Sequence, residues 1–525
     1  MLPKPPFPCD LSLDQELAAF ERLKPRLKEV WNSLVLREDA HCTSVVVPSL
    51  TLDQEELRKL TGAAFYEERL LFLLIRLRNP RAHVVYVTSQ PVHPLVLEYY
   101  LHLLAGVPAS HARARLTMLC CYDQSSRPLT QKILERPRLI QRIRQAIMDP
   151  ARAYLTVFNS TPLERKLAVL LGIPLNGLDP AHAYLGTKSG SRKVFREAKV
   201  DLPAGFEDLK DEYDIEKALT ELRRQRPGIK RAILKLNDSF SGEGNAIFRY
   251  PAGETQGEMR EAIAKVQMPV EDETLGHYFD KFRRMGGIVE EFIEAPEKTS
   301  PSAQFRTGPN GEVMAISTHD QILGGASGQI YLGCTFPAED SYRQRITDAG
   351  FRVGEVLAKH GAVSRYGVDF LAFRTSPADP WEFVALEINL RVVGTTHPFL
   401  ALTFLTGGSL DQQTGMFMSI GGRPKYYQAT DNLRAERYRA LLPEDLIDIT
   451  TLHGLHYSHR TESGSLFHMI GAVSEFGKLG VTVIGNSPAE VAELYSQTLS
   501  VLDVEAEHGT RPSVEPEPPG PVFPD

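Results

Sequence analysis

Cysteine is scarce in this 525-residue chain. Cys9, Cys42, Cys120, Cys121 and Cys334 are scattered, so no disulfide framework is expected, and without a CxxC pair no zinc chelate is either. Long apolar runs are missing too. The longest, Leu70 to Ile75, is far short of the ~20 residues that cross a bilayer, and the N-terminal MLPKPPFPCD lacks the apolar core of a signal peptide. A reducing cytoplasmic setting with no membrane partner is the expectation. There is no excess of positive charge: 59 basic against 66 acidic side chains leave a net −7. That argues against nucleic acid as the main partner, because phosphate binding depends on a basic face. Also absent are a GxGxxG after a strand, a Walker A lysine pattern and internal repeats. What remains is ordinary globular composition, 42% hydrophobic and 24% charged, at a length that suggests two to four domains.

The fold class is α/β. Through residues 1–178, TSVVVPSL, AHVVYVTS, ARLTMLCC and YLTVF alternate with amphipathic segments, including a long helix from Leu129. Strand, helix, strand at this spacing predicts a parallel Rossmann-like βαβ domain. Arginines 136 to 144 read as a solvated helix face. A second unit spans 179–405: a Lys- and Arg-bearing helix, strand RAILKLN, turn SFSGEGNAIF, strand GGIVEEFIEA over 286–295, antiparallel strands around Pro309-Asn310-Gly311, a helix over 341–360, then strands YGVDFLAF and WEFVALEINL. Residues 406–504 read as a smaller mixed domain, helical near 400–420 and 433–441. Residues 505–525, rich in proline and acid, read as a disordered tail.

Four features converge on a nucleotide triphosphate with Mg²⁺. Glu387 and Asn389 share one face of a strand, and antiparallel pairing brings Asp369 beside them. Two carboxylates and an amide are hard oxygen ligands suited to magnesium. A polar solvent face is the bland alternative, but the flanking Leu386, Ile388, Leu390, Phe370 and Leu371 make these strands largely buried, and buried carboxylates need a partner. Lys235 in AILKLN is a cation in an apolar strand, and Lys188 lies in the helix before it; either alone reads as a snorkelling surface lysine. In the turn Ser239–Asn245, Ser241, Gly242 and Gly244 can aim backbone N–H groups at phosphates, or form a plain hairpin. Glu290, Glu291, Glu294 and Glu297 suit a nucleotide edge or an acidic surface turn equally.

Taken in order, TKSGSRKVF, AILKLN, VEEFIEAPE, GVDF and EINLR over residues 180 to 405 resemble the ATP-grasp superfamily of carboxylate–amine ligases. SRPLTQKILERPRLIQRIR, AQFR and SLFHMIGAVSEFGKLGVTVIGNSPAEV are similar to the pheganomycin-type peptide ligases, which add a small C-terminal domain. The resemblance implies a pre-ATP-grasp N-terminal domain, then an ATP-grasp fold of two α+β lobes, with ATP and Mg²⁺ between the lobes. Lys188 and Lys235 would contact the phosphates under the loop carrying Ser241, Gly242 and Gly244. Glu290 would meet the adenine amino group, Glu291 and Ile293 the adenine edge through their backbones, and Glu297 the ribose. Asp369, Glu387 and Asn389 would bind magnesium. Where D-Ala:D-Ala ligases have an arginine two residues before the first metal carboxylate, this chain has Gly367, so the oxyanion role falls to Arg391 or to Arg306.

The implied reaction joins a small-molecule or peptide carboxylate to an amine through an acylphosphate, releasing ADP and phosphate. A silent nucleotide-binding module and an ATP-grasp phosphotransferase are the competing readings. The resemblance leaves a homodimer open. His453, His456 and His459 read as loop or strand residues rather than metal ligands, His468 as a core residue ahead of one reaching the active site from the C-terminal domain, Thr395, Thr396 and His397 as an acyl-substrate wall or a helix cap, and Cys120 and Cys121 as buried thiols ahead of a nucleophile.

Overall fold

Short β-branched runs cannot bury both faces alone, and here four of them pair. The computed structural model describes residues 11–508 apart from 36–39, 53, 239–243, 254, 269–272, 325–327 and 329. In it β1 (Cys42–Val47), β2 (Ala82–Thr88), β3 (Leu116–Cys120) and β4 (Ala153–Val157) form an all-parallel sheet in the order β3-β2-β1-β4. The crossover from β1 to β2 contains the 3₁₀ helix Ala63–Arg78, whose LLFLLI segment is almost wholly buried. The expected long helix from Leu129 is two helices, Leu129–Leu134 and Pro137–Ala146. Pro137 disfavours helical geometry at Arg136, which sits at φ −124°, ψ 78°. Arg138 and Arg142 of the second helix are exposed, as a solvated face requires.

The second sheet is antiparallel, β5 (Gly205–Leu209), β6 (Arg231–Leu236), β7 (Asn245–Arg249) and β8 (Gly287–Glu291), in the order β5-β8-β6-β7. The strand expected over 286–295 thus stops at Glu291. The third begins with β9 (Glu297–Thr307), β10 (Val313–Gly324), β11 (Ile330–Phe336), β12 (Ser364–Arg374) and β13 (Glu382–Asn389), in the order β13-β12-β9-β10-β11. Gly311, at φ +84°, takes the left-handed geometry that the β9–β10 turn needs. The helix Asp340–Lys359 buries one face on this sheet.

The helical reading of 400–420 is corrected. The helix Thr396–Thr406 ends at Gly407, φ +58°, and β14 (Ser409–Leu410), β15 (Phe417–Met418) and β16 (Pro424–Arg434) follow. Glycines 415 and 422, both at positive φ, break any continuation, and PKYYQATDNLR has the β-rich content of a strand. Residues 436–440 form only a 3₁₀ turn. β16 pairs with β11, and β18 (Lys478–Gly485) pairs with both β16 and β17 (Gly464–His468), so the third sheet reaches ten strands. One core cluster joins the first parallel sheet to these C-terminal elements, as where Phe72 packs against Tyr100 and Phe404. Among the described residues no helix is long and apolar enough to cross a membrane. The disordered-tail reading of 505–525 is corrected at its start, since residues 505–508 end the last helix, Pro488–His508; residues 509–525 lie outside the described residues.

Candidate active site

The β12–β13 ladder sets Asp369 directly opposite Glu387, and Gly367 opposite Asn389, with a bulge immediately after Asp369. Because strand side chains alternate, Glu387 and Asn389 project to the same face. Asn389 Nδ2 donates to Asp369 Oδ2 at 3.0 Å and to Glu387 Oε1 at 3.2 Å, while Gln321 Nε2 donates to Asp369 Oδ1 at 2.8 Å. Lys188 forms an ion pair with Glu387. Both carboxylates therefore point at a common spot where the amide N–H₂ and the Lys188 ammonium now stand. Arg391 closes the row, donating Nη2 to Asn389 Oδ1 at 3.0 Å. Burial raises the Asp369 carboxyl above its usual range, partly offset by Lys188 and Arg391. Burial, followed by the Lys235 charge, lowers Lys188 to about 7.

These residues line a cavity of about 720 Å³ between the second and third sheets. Lys235 enters from β6 and Glu290 from β8; they are ion-paired and buried, at 5% and 1% exposure, and Arg192 Nη1 approaches Glu290 Oε2 at 3.3 Å. A lysine in an apolar strand thus meets an acid on the neighbouring strand of the same sheet. Glu291 and Ile293 also line the cavity, and Glu291 Oε1 accepts from Ala204 N at 2.8 Å.

Not every expected residue arrives there. Glu297 begins β9, bonds Arg374 Nε at 2.5 Å and is not among the cavity-lining residues. Arg306 does not line this cavity either: it bonds Asn176, holds its guanidinium carbon 4.0 Å from the centre of the Trp31 ring and lines an adjoining cavity of about 60 Å³ that shares Arg391 and Phe158 with the larger one. The reason is distance along β9. Ser302 is registered opposite Asp369, and Arg306 lies four residues further on, opposite Arg365, which is roughly 13 Å at strand spacing. Of the turn expected to cover phosphates, Ser241 and Gly242 lie outside the described residues; Gly244 is buried, and its carbonyl accepts from Leu236 N at 3.2 Å and Tyr278 Oη at 3.1 Å.

The remaining candidates resolve individually. Thr395 lines the cavity and bonds Gln304, and Thr396 Oγ1 donates to Gln304 Oε1 at 3.1 Å. His397 and His468 face each other in the core, Nε2 to Nε2 at 2.9 Å. His453 bonds Glu505 at 2.7 Å, and no group of three or more His, Cys, Asp or Glu side chains suited to a metal exists among the described residues. Burial pushes the Cys121 thiol up to about 12, unsuited to a nucleophile. Sequence reasoning missed Gln321, Tyr66, Arg69, Asp431 and Lys478, all of which line the cavity. A signal existed for two of them: Lys478 opens the apolar run KLGVTVIG, and Arg69 adjoins LLFLLI. That is the pattern which singled out Lys235.

A family model described as IQCH-like, ATP-grasp matches residues 180–250 and 253–413, and one described as the PGM1 C-terminal domain matches 445–498. The chain is 30% identical over 471 residues to the L-propargylglycine–L-glutamate ligase of Streptantibioticus cattleyicolor, covering 88% of this chain and 94% of that one. It is 24% identical over 451 residues to IQ motif-containing protein H of Danio rerio, covering 76% of this chain and 42% of that protein. Among solved structures, the biotin carboxylase of Campylobacter jejuni superposes with a TM-score of 0.51 at 12% identity, covering 90% of this chain and 95% of that one. The biotin carboxylase domain of Hydrogenobacter thermophilus 2-oxoglutarate carboxylase does so at 0.51 and 13%, covering 87% and 89%. At such identities the likeness is one of fold.

Proposed function

The chain belongs to the ATP-grasp family of C–N bond-forming ligases, and from that premise we propose that it joins a carboxylate to an amine through an acylphosphate. The observation that carries the reading is the convergence of Asp369, Glu387, Asn389, Lys188 and Arg391 on one cavity wall. A phosphoryl-transfer site needs such a mixture, with anions to hold a divalent cation and cations to meet phosphate oxygens.

In the first step a carboxylate oxygen of one substrate attacks the γ-phosphorus of ATP; the bond to the β-bridging oxygen breaks and ADP leaves. In the second, an amine nitrogen attacks the acyl carbon, phosphate departs with the C–O electron pair, and the nitrogen gives up a proton. Lys188 and Lys235 bind and orient the phosphates, exchanging their carboxylate partners for phosphate oxygens. Arg391 stabilises the oxyanion of the tetrahedral intermediate; its place on the wall of the larger cavity, which Arg306 does not line, supports this choice. Glu290, Glu291 and Ile293 border the adenine. Asp369, Glu387 and Asn389 are the residues that would hold magnesium, which supplies charge neutralisation on the triphosphate when bound. The S. cattleyicolor relative is named for joining two amino acids, and we take two amino acids, or an amino acid and a short peptide, as the substrate class.

The test is to incubate the protein with Mg-ATP and pooled amino acids and dipeptides beside Glu387→Ala, following ADP, AMP, phosphate and product mass. ADP and phosphate should appear with a condensed product, and both should fall by at least about 100-fold in Glu387→Ala. AMP and pyrophosphate would overturn the acylphosphate route, and a lack of nucleotide consumption with any pair would sink the ligase reading.

A further inference from the structure

We propose that Arg69 and Lys478 form a subsite for a free carboxylate of an amino-acid substrate, distinct from the carboxylate that is activated. The proposal rests on the ligase reading and deepens it. Arg69 comes from the 3₁₀ helix in the first β–β crossover, Lys478 opens β18 and Asp431 sits on β16, so the N-terminal and C-terminal parts of the chain build this wall together.

Arg69 is 4% exposed. Its Nη1 donates to Asp431 Oδ2 at 2.8 Å, but its Nε and Nη2 are buried and have no hydrogen-bond partner among the described residues. Its guanidinium carbon lies over two rings, 4.3 Å from the centre of Tyr66 and 5.2 Å from that of Phe158. The ring contacts hold the guanidinium in place and leave its Nε and Nη2 N–H groups unused. Lys478, also 4% exposed, donates to Tyr66 Oη at 2.8 Å. Two buried cations thus share one anion, Asp431, with Arg434 adding positive charge at the rim.

Uncompensated buried charge and orphaned guanidinium N–H groups are costly, which argues for a partner that arrives with the substrate. A planar fork beside an ammonium matches a carboxylate, which accepts two parallel N–H bonds from arginine. The location agrees with the chemistry. The Phe158 ring that Arg69 contacts is also 5.9 Å from the Arg391 guanidinium, so the subsite adjoins the proposed oxyanion site. In an α-amino acid the amine and the carboxylate share one carbon. Capturing the carboxylate here therefore holds the reacting group of the same molecule in the part of the cavity that Arg391 lines.

Either substrate can supply this carboxylate, and the test separates them. On the full chain with Mg-ATP, each of the twenty common amino acids is supplied as the free acid and as its carboxamide, with aspartate and glutamate also as α-carboxamides in the acyl-donor position. Product formation is followed together with the thermal midpoint on adding each compound. The variants are Lys478→Met and the double variant Arg69→Met/Asp431→Asn, since Arg69→Met alone strands a buried Asp431 and risks unfolding. For one of the two substrates the carboxylate should be preferred over the carboxamide by at least about tenfold in kcat/KM. Both variants should erase that preference while KM for ATP holds. Discrimination against the amide of the amine substrate assigns the subsite to the amine; discrimination against the α-amide of the acyl donor assigns it to the donor. Equal use of acid and amide for both substrates, or a preference that survives both variants, overturns the proposal. Failure of the ligase reading looks different, since no pair then consumes nucleotide, and the thermal midpoint decides. Stabilisation by free acids, absent with amides and lost in both variants, keeps the carboxylate subsite; any other pattern overturns it.

Discussion

Arg391 and Lys478 are both cations drawn from water into the same cavity, yet they are held differently and should fail differently. Arg391 is tied to Asn389 and, in the proposed mechanism, acts where charge develops during the reaction. Arg391→Met should lower kcat by about 10²–10³ with little change in KM for ATP, read by steady-state kinetics; a large rise in KM with kcat intact would mean that it only binds. Lys478 faces Tyr66, Asp431, Arg69 and Arg434. Burial, followed by the Arg69 charge against the pull of Asp431, lowers it to about 8. Its charged form is the one that attracts a carboxylate, and it is lost as pH rises through that value. KM for the carboxylate-bearing substrate should therefore climb above pH 8, up to tenfold per unit, while Lys478→Met should have a high KM that is flat over the same range. Profiles of kcat/KM between pH 6.5 and 9.5 check this.

At the scale of elements, the β12–β13 register brings the acids together, and a one-residue slip would send Glu387 and Asn389 to the other face. What holds the register is the packing behind it. The helix Asp340–Lys359 approaches the third sheet at Gly350 and Gly354, where an added Cβ would overlap the Phe305 ring and the Tyr366 hydroxyl respectively. Phe305 and Tyr366 are stacked with centroids 5.4 Å apart on β9 and β12. Gly350→Ala should cost about 1–3 kcal/mol through overpacking, despite alanine's better helix propensity. Chemical denaturation checks the sign: a more stable Gly350→Ala would show that the helix has room to move.

Across the whole molecule, β16 joins the third sheet through β11 and brings β18 with it. Removing residues 414–525 would strip β11 of its neighbour, expose the core shared with the parallel sheet, and delete Asp431 and Lys478 from the cavity wall. A 1–413 fragment should aggregate rather than remain a folded nucleotide-binding unit, because an open apolar edge strand seeks another chain. Size-exclusion chromatography and solubility on expression decide it. A monomeric 1–413 that binds ATP would show that the C-terminal strands are an appendage.

Periodicity and local residue chemistry were enough to place the parallel sheet, the β9–β10 hairpin and the Asp369, Glu387 and Asn389 set, since strand alternation and i, i+2 spacing are properties of neighbours in the chain. The lysine in AILKLN was readable for the same reason: a cation among apolar residues announces that something must meet it. The chain did not declare the partner, and the structure supplies Glu290. Between Arg391 and Arg306 the sequence had no means to choose. Tertiary register separates them, carrying Arg306 four residues past the acids and under Trp31. Nor did residues 424–434 read as a strand, because they pair with β11, a partner distant in sequence. The Arg69, Asp431 and Lys478 wall draws on three segments spread over four hundred residues. Long-range packing alone sets their proximity, and no local spacing encodes it.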